Sequence, residues 1–439
     1  KRKREFWSAK NIPLVESCAE NCGDREAFEA EISAKLRPFF PKIERLPREQ
    51  LIAAMKQVHL SKLSGWVGQA IQRAQKRGWD AARLRNKLAA HFSETERERL
   101  FLELVKQVFT AYEPRLQKEG KTDFDRLFNE AIRLIRADPP QSILHGKQTA
   151  IDLRDLRICL VDEAQDLSPQ FIEAVTCLRE LNPRLRLLFV GDDWQAINRF
   201  AGSDVELFTE ALTTRFGKCA TPTLATNYRS VRKVVLAGNA LMRGQGSEAV
   251  PHKEITGTIQ LAYMDQVFVE MREGQANFEL EAPFREFGGS LEKFFKALYQ
   301  LAILDLQAGR TLGVLFRTNQ HMGKSLNELE RQFVRVLRKM GWPREDVDHW
   351  RNKLIRFSTA HGFKGLECHT VFIVNPSAGS FPLLNADSIE LFRFFGDNLN
   401  QAEQDERRLF YVAITRAEQR LVFLTEKRKE EDSPYLEPF

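Results

Sequence analysis

Seven short apolar runs dictate most of what this chain can fold into: LRICLV (156–161), LRLLFV (185–190), TIQLAY (258–263), LGVLF (312–316), LIRFS (354–358), TVFIV (370–374) and LVFLT (421–425). Most are near-continuous in Leu, Ile, Val and Phe, the pattern of strands covered on both faces. Helical segments separate them, and that alternation implies an α/β fold built on a parallel sheet. In such sheets ligands bind beyond the carboxyl ends of the strands. Three of the runs lead directly into polar stretches there: DEAQD (162–166), GDDWQAINRF (191–200) and TAHGFKGLE (359–367).

Residues 1 to about 145 read as mostly helical. Leu100, Leu104 and Val108 fall four apart, as do Phe101, Val105 and Phe109, which predicts one helix with a wide apolar face, and Ser93 with Glu96 resembles a capping box at its start. The next helix is expected over Asp123–Arg136, burying Leu127, Phe128, Ala131, Ile132 and Ile135 and stopping before Asp138-Pro139-Pro140. A Gly-rich, polar stretch around 236–257 reads as a linker between two α/β lobes. The expected organisation is a helical segment over 1–145, the rest of a first lobe over 146–240 and a second lobe over 241–439.

The formal charge of +6 comes from 66 basic and 60 acidic residues, a small excess that permits a polyanionic partner without requiring one. Cys18 and Cys22 have no His/Cys pair at metal spacing beside them, so no zinc site is expected, and Cys159 suits a small buried hydrophobe. Scattered thiols, no signal-peptide pattern and no apolar run of about 20 residues lead to the expectation of a cytoplasmic chain with no membrane partner.

The polar stretches carry the chemistry. Asp162 and Glu163 leave the end of an apolar strand side by side. Phosphoryl transfer to water needs a carboxylate for Mg²⁺ and a group that poises the water, and these two are assigned in that order. Gln195 is placed to reach the phosphate or the water, and Phe200 to offer a base a stacking surface; Trp194 is a second aromatic candidate, although either ring would also suit a core. Arg229 beside Tyr228 offers a planar cation to a phosphate, with a surface arginine at a helix start as the plainer reading. Arg416 follows a helix whose buried side carries Leu409, Val412 and Ala413, so it emerges from packed structure, whereas Arg420 suits a salt bridge.

Taken in order with NYRS (227–230) and ERRLFYVAITRAEQRL (406–421), these stretches resemble the trailing motifs of UvrD/Rep-type superfamily 1 DNA helicases. TDFDRLFNEAIRLI (122–135) and the pair Arg317 and Asn319 extend the resemblance to roughly 120–430. It implies two RecA-like P-loop NTPase lobes, with parallel sheets flanked by helices and a helical insertion in the first lobe. ATP and Mg²⁺ would lie between the lobes, and single-stranded DNA across their top. By resemblance, Gln195 senses nucleotide, Phe200 stacks on DNA, and Tyr228 stacks on adenine. Arg229 and Arg416 reach the γ-phosphate, Gly365 and Glu367 belong to the nucleotide site with Glu367 on the ribose, and Thr359 and His361 face the DNA backbone. Asn198 and Ala201 depart from the family's usual tyrosine and arginine, which puts a local phosphate contact in doubt but not the stack.

Such a motor also needs G-x-x-x-x-G-K-[ST]. Gly120-Lys121-Thr122 and Gly323-Lys324-Ser325 are decoys, with Arg115 and Thr318 where the first glycine belongs. In the first, Gly120 ends one helix, and Thr122 with Asp125 starts the next. The expectation is a phosphate loop ahead of Lys1 and poor ATP hydrolysis by this chain alone. Only Gln320–Ser358 separates two motifs between which larger relatives insert an accessory domain, so that domain is expected to be reduced or absent. The function expected is an ATP-dependent 3′–5′ translocase or helicase acting on single-stranded DNA and its junctions with duplex, in repair or recombination, with repair-complex proteins as possible partners. The alternative is a motor-derived binding subunit without catalysis, in a DNA repair, defence or RNA polymerase complex.

Overall fold

A computed structural model of the chain describes residues 33–35, 37, 59–137, 143–145, 149–267, 284, 287, 289–426 and 431–438. Cys18 and Cys22 lie outside these residues. Packing divides the chain into Lys1–Trp66 and Val67–Phe439. In the first unit the described residues are a helical turn at 33–35, Arg37 and the opening of the helix α1 (His59–Lys76). Everything below concerns the second.

Three helices follow α1: α2 (Ala81–Ala89), α3 (Glu96–Lys118) and α4 (Phe124–Ala137). Each starts on a side-chain oxygen that accepts an otherwise unpaired backbone N–H. Asp80 accepts from Arg83 N at 2.7 Å, Thr95 from Glu98 N at 3.1 Å, and Asp123 from Arg126 N at 2.7 Å. The caps of α3 and α4 are therefore Thr95 and Asp123, rather than Ser93 and Thr122. The apolar face of α3 is also narrower than its spacing suggests. Phe101, Val105 and Phe109 are buried, but Leu100 and Val108 are exposed, and on α4 only Ile132 is buried while Leu127 faces out.

The α/β part begins with β1 (Ile158–Val161), α5 (Pro169–Leu181) and β2 (Arg186–Phe189), with β1 and β2 parallel. Next come β3 (Thr226–Val231), α6 (Arg232–Leu241) and β4 (Val250–Lys253), with β4 parallel to β3. The stretch read as a linker thus contains the end of α6 and all of β4, joined and followed by irregular chain. Val234, Leu241 and Met242 pack into the core of the following sheet, so the packing changes ahead of β3 and not near residue 240.

That sheet contains β5 (Thr258–Tyr263), β6 (Leu312–Phe316), β7 (Ile355–Thr359), β8 (Cys368–Val374) and β9 (Ala417–Thr425), all parallel, in the order β7-β6-β8-β9-β5. Side chains alternate across it. Phe372, Val374 and Val422 face α7 (Gly289–Gln307) and α8 (Leu326–Lys339), in one core with Phe294, Phe295 and Phe333. Val371, Ile373, Leu421 and Phe423 face α10 (Leu399–Ile414), in a second core with Leu409, Phe410 and Val412. Between β6 and β7 lie a two-stranded hairpin at 320–325, α8 and two short helical pieces. A further short helix, α9 (Ala386–Leu391), precedes α10.

Neither decoy has the form of a phosphate loop. Gly120 takes φ 62° just past the end of α3, and Gly323 takes φ 75° in the hairpin, where Ser325 caps α8 by accepting from Glu328 N at 3.3 Å.

Candidate functional site

β1 ends in two exposed carboxylates. Asp162 Oδ1 accepts from Glu163 N at 2.9 Å, and Glu163 adopts φ 50°, ψ 42°. A non-glycine residue in that left-handed region is disfavoured by about 1 kcal/mol, so the neighbours must hold it. Gln165, 1% exposed, does so from both ends of its amide. Nε2 donates to Glu163 Oε2, and Oε1 accepts from Asp192 N at 3.0 Å. The approach of β2's end is close enough to require Gly191, because a Cβ there would lie 2.6 Å from Gln165 Oε1 and 3.0 Å from its backbone nitrogen.

The second lobe reaches this edge through two cations. Arg416 leaves the end of α10 only 1% exposed. Its Nε donates to Val412 O at 3.0 Å, Nη1 to Leu366 O at 3.4 Å and Nη2 to Gln195 Oε1 at 3.0 Å. Gln195 Nε2 in turn donates to Asp192 Oδ2 at 2.6 Å. Burial, and after it the nearby Arg229, pulls the Arg416 pKa down to about 10, which leaves it charged at neutral pH. Lys364 makes the other crossing, donating to Asp166 Oδ2 at 2.5 Å and to Gln195 O at 3.0 Å, with Glu163 Oε2 at 3.9 Å.

Arg229 stands on β3, not at a helix start, and its Nε donates to Glu367 Oε2 at 2.5 Å. Glu367 follows Gly365, whose φ of 80° makes the turn out of the short helix His361–Phe363. Tyr228 is 66% exposed, with its ring 4.5 Å from that of His252. Asp162, Glu163, Gln195, Arg229, Glu367 and Arg416 thus come from five separated stretches. Hydrogen bonds join Asp162 to Glu163, Gln195 to Arg416 and Arg229 to Glu367, while the Tyr228 ring packs beside His252.

A cavity of about 570 Å³ opens between the lobes and α1, lined among others by Phe200, Arg317, Thr359 and His361. Phe200 is 47% exposed and meets His361 edge-on, with ring centroids 5.4 Å apart. Burial first, then Arg317, lowers the His361 pKa to about 4, so this ring is neutral at physiological pH. Thr359 Oγ1 accepts from Gly362 N at 3.0 Å and fixes the turn beneath it.

Trp194 does not belong to this surface. It is 5% exposed, packs edge-on against Tyr411 at 5.2 Å and donates its indole N–H to Gln245 O, so it is a core residue rather than a nucleic-acid contact. Arg420 makes the expected salt bridge, 2.9 Å from Asp305 Oδ2. Reasoning from the sequence assigned no role to Lys364 or Asp166, although both stand inside the quoted stretches, where their fixed spacing was a usable signal.

Two α/β lobes with helix-flanked parallel strands, meeting through polar residues at their strand ends, define the RecA-like P-loop NTPase class. Comparison with known proteins narrows this. The UvrD/REP helicase N-terminal domain matches residues 23–214 and the UvrD-like helicase C-terminal domain matches 281–428, so the chain belongs to the UvrD/Rep-type helicase family. DNA helicase IV of Escherichia coli is 27% identical over 344 residues, 76% of this chain and 41% of that protein. A probable DNA helicase of Mycoplasma pneumoniae is 29% identical over 333 residues, 75% of this chain and 53% of that protein. ATP-dependent DNA helicase PcrA of Leuconostoc citreum is 28% identical over 153 residues, 35% of this chain and 19% of that protein. The chain spans about half the length of the first two relatives. No helix among the described residues is long and apolar enough to cross a membrane.

Proposed function

We propose that this chain forms the greater part of an ATP-driven DNA helicase that moves 3′ to 5′ along single-stranded DNA and opens its junctions with duplex, in repair or recombination. The observation that carries the reading is the Arg416–Gln195 hydrogen bond at 3.0 Å, which joins the last motif of the second lobe to the motif that also bears Phe200. A rearrangement of charge at the nucleotide would thereby reach the DNA surface through the six-residue stretch from Gln195 to Phe200.

The roles follow from chemistry. Asp162 is exposed and accepts from Glu163 N through Oδ1, which leaves acceptor capacity on its carboxylate suited to a hard cation. It would hold Mg²⁺, which supplies charge neutralisation on the phosphates. Glu163 poises the attacking water, and its imposed backbone geometry suits a group whose direction matters. Arg229 and Arg416 present guanidinium groups to the γ-phosphate, Tyr228 offers its exposed ring to the adenine, and Glu367 with Gly365 takes the ribose. Arg229 must leave Glu367 to do so. Phe200, with Thr359 and the neutral His361, forms the DNA surface, where stacking on an aromatic ring contributes about 1 to 3 kcal/mol per base.

The test is Glu163→Gln in a protein that joins this chain to a phosphate-binding loop. Turnover of ATP is expected to fall by at least about 100-fold with ATP affinity retained. Unchanged turnover would remove Glu163 from the mechanism, and no DNA-stimulated turnover even in the unaltered protein would favour a binding subunit.

A further inference from the structure

We propose that Arg73, on α1, is a positioning residue that ties the stacking ring of Phe200 to the second lobe. The proposal rests on the reading of Phe200 as a platform for single-stranded DNA. Arg73 is 4% exposed, unusual for an arginine, and its planar fork points in two directions at once. Nε donates to the Phe200 carbonyl at 3.1 Å, and Nη1 donates to Asp397 Oδ1 at 2.8 Å. The guanidinium also lies over the Phe392 ring, 4.7 Å from its centroid. Phe200 follows the strands of the first lobe, whereas Phe392 and Asp397 belong to the second.

Each end of this tie is reinforced. Gln69, one turn earlier on α1, donates to the same Phe200 carbonyl at 2.8 Å. Gly202, two residues past Phe200, has φ 92°, and a Cβ there would come within 3.0 Å of the Lys76 side chain. The backbone around Phe200 is therefore held on α1 while its ring stays half-exposed in the cavity. On the other side, Arg77 donates to Phe395 O at 3.0 Å, and the rings of Trp79 and Phe395 stack at 6.3 Å.

A displacement of Asp397 relative to the first lobe must then either break the Arg73 pair or move the Phe200 carbonyl with it. Removing one partner of a buried pair leaves an uncompensated charge, so the second course is favoured. Lysine cannot replace the fork, because a single ammonium on a flexible stem does not present two fixed donors at this angle.

The experiment uses the 439-residue chain and an end-labelled oligo-dT carrying one 2-aminopurine, with anisotropy reporting affinity and 2-aminopurine fluorescence reporting stacking. Phe200→Ala sets the signal of a lost stack. Arg73→Lys and Asp397→Asn are each expected to keep affinity within about threefold while moving the 2-aminopurine signal at least about half of the way to the Phe200→Ala value, and the double variant should go no further than either alone because both act through one contact. Asp397→Asn carries the test if Arg73→Lys does not fold. The tie is overturned if both single variants keep the unaltered fluorescence while Phe200→Ala changes it, and equally if both abolish binding, which would make them direct ligands. If Phe200→Ala itself leaves the signal unchanged, the stacking reading fails first and the proposal falls with it.

Discussion

His361 shows how burial sets the chemistry of a single side chain. Its pKa is about 4 in the folded chain against an ordinary 6.5, chiefly because burial penalises the charged ring. The unfolded chain takes up the proton first as pH falls, so His361 has no effect on stability above about pH 6.5 and destabilises the fold increasingly from there towards pH 4. His361→Asn should therefore lose less stability than the unaltered chain between pH 7 and 4.5 in urea unfolding; equal losses would contradict the assignment. Many of the candidate side chains were legible because their spacing after apolar strands is fixed. Trp194 was misread because the sequence shows an aromatic beside a functional stretch but not the Gln245 carbonyl that satisfies it. Arg73 left no signal at all, since it is one basic residue on a helix with no motif around it.

At the scale of elements, β5 and β6 are recovered residue for residue, β7 and β8 to within two residues and β9 over its last five; in β6, β8 and the end of β9, apolar runs buried on both faces leave little choice. β3 went unseen because TNYRSV has no such run, and its strand character comes from pairing with β4. α6 was hidden by its own glycine. Gly238 sits within the helix because a Cβ there would lie 2.9 Å from Cε2 and 3.4 Å from Cδ2 of the buried Tyr411 ring, which itself packs on Trp194. Alanine normally gains about 1 kcal/mol over glycine within a helix. Here overpacking should win, so Gly238→Ala is expected to destabilise by about 1 to 3 kcal/mol in calorimetry. A raised melting temperature would show that Tyr411 can yield.

At the scale of the molecule, α1 meets both lobes, and α3 with its cap meets the second. Arg97 pairs with Asp387 at 2.7 Å, Thr95 donates to Glu390 at 2.5 Å, and Phe101 packs on Phe392 at 5.7 Å. These partners are nearly 300 residues apart in sequence, and no local pattern could announce them. From Val67 onward α1 therefore lines the cavity in contact with both lobes.

The central claim is that Arg416 acts across the lobe interface on the nucleotide, in concert with Gln195. The most direct measurement is DNA-stimulated ATP turnover by a protein that joins this chain to a phosphate-binding loop, compared for Arg416→Ala, Gln195→Ala and the double variant. An inserted arginine accounts for about 10³ to 10⁵ in rate, so Arg416→Ala should lose at least about 10³-fold. The double variant should be little worse than Arg416→Ala, since the two act as one unit. A loss under about tenfold for Arg416→Ala, or losses that simply multiply in the double variant, would contradict the account.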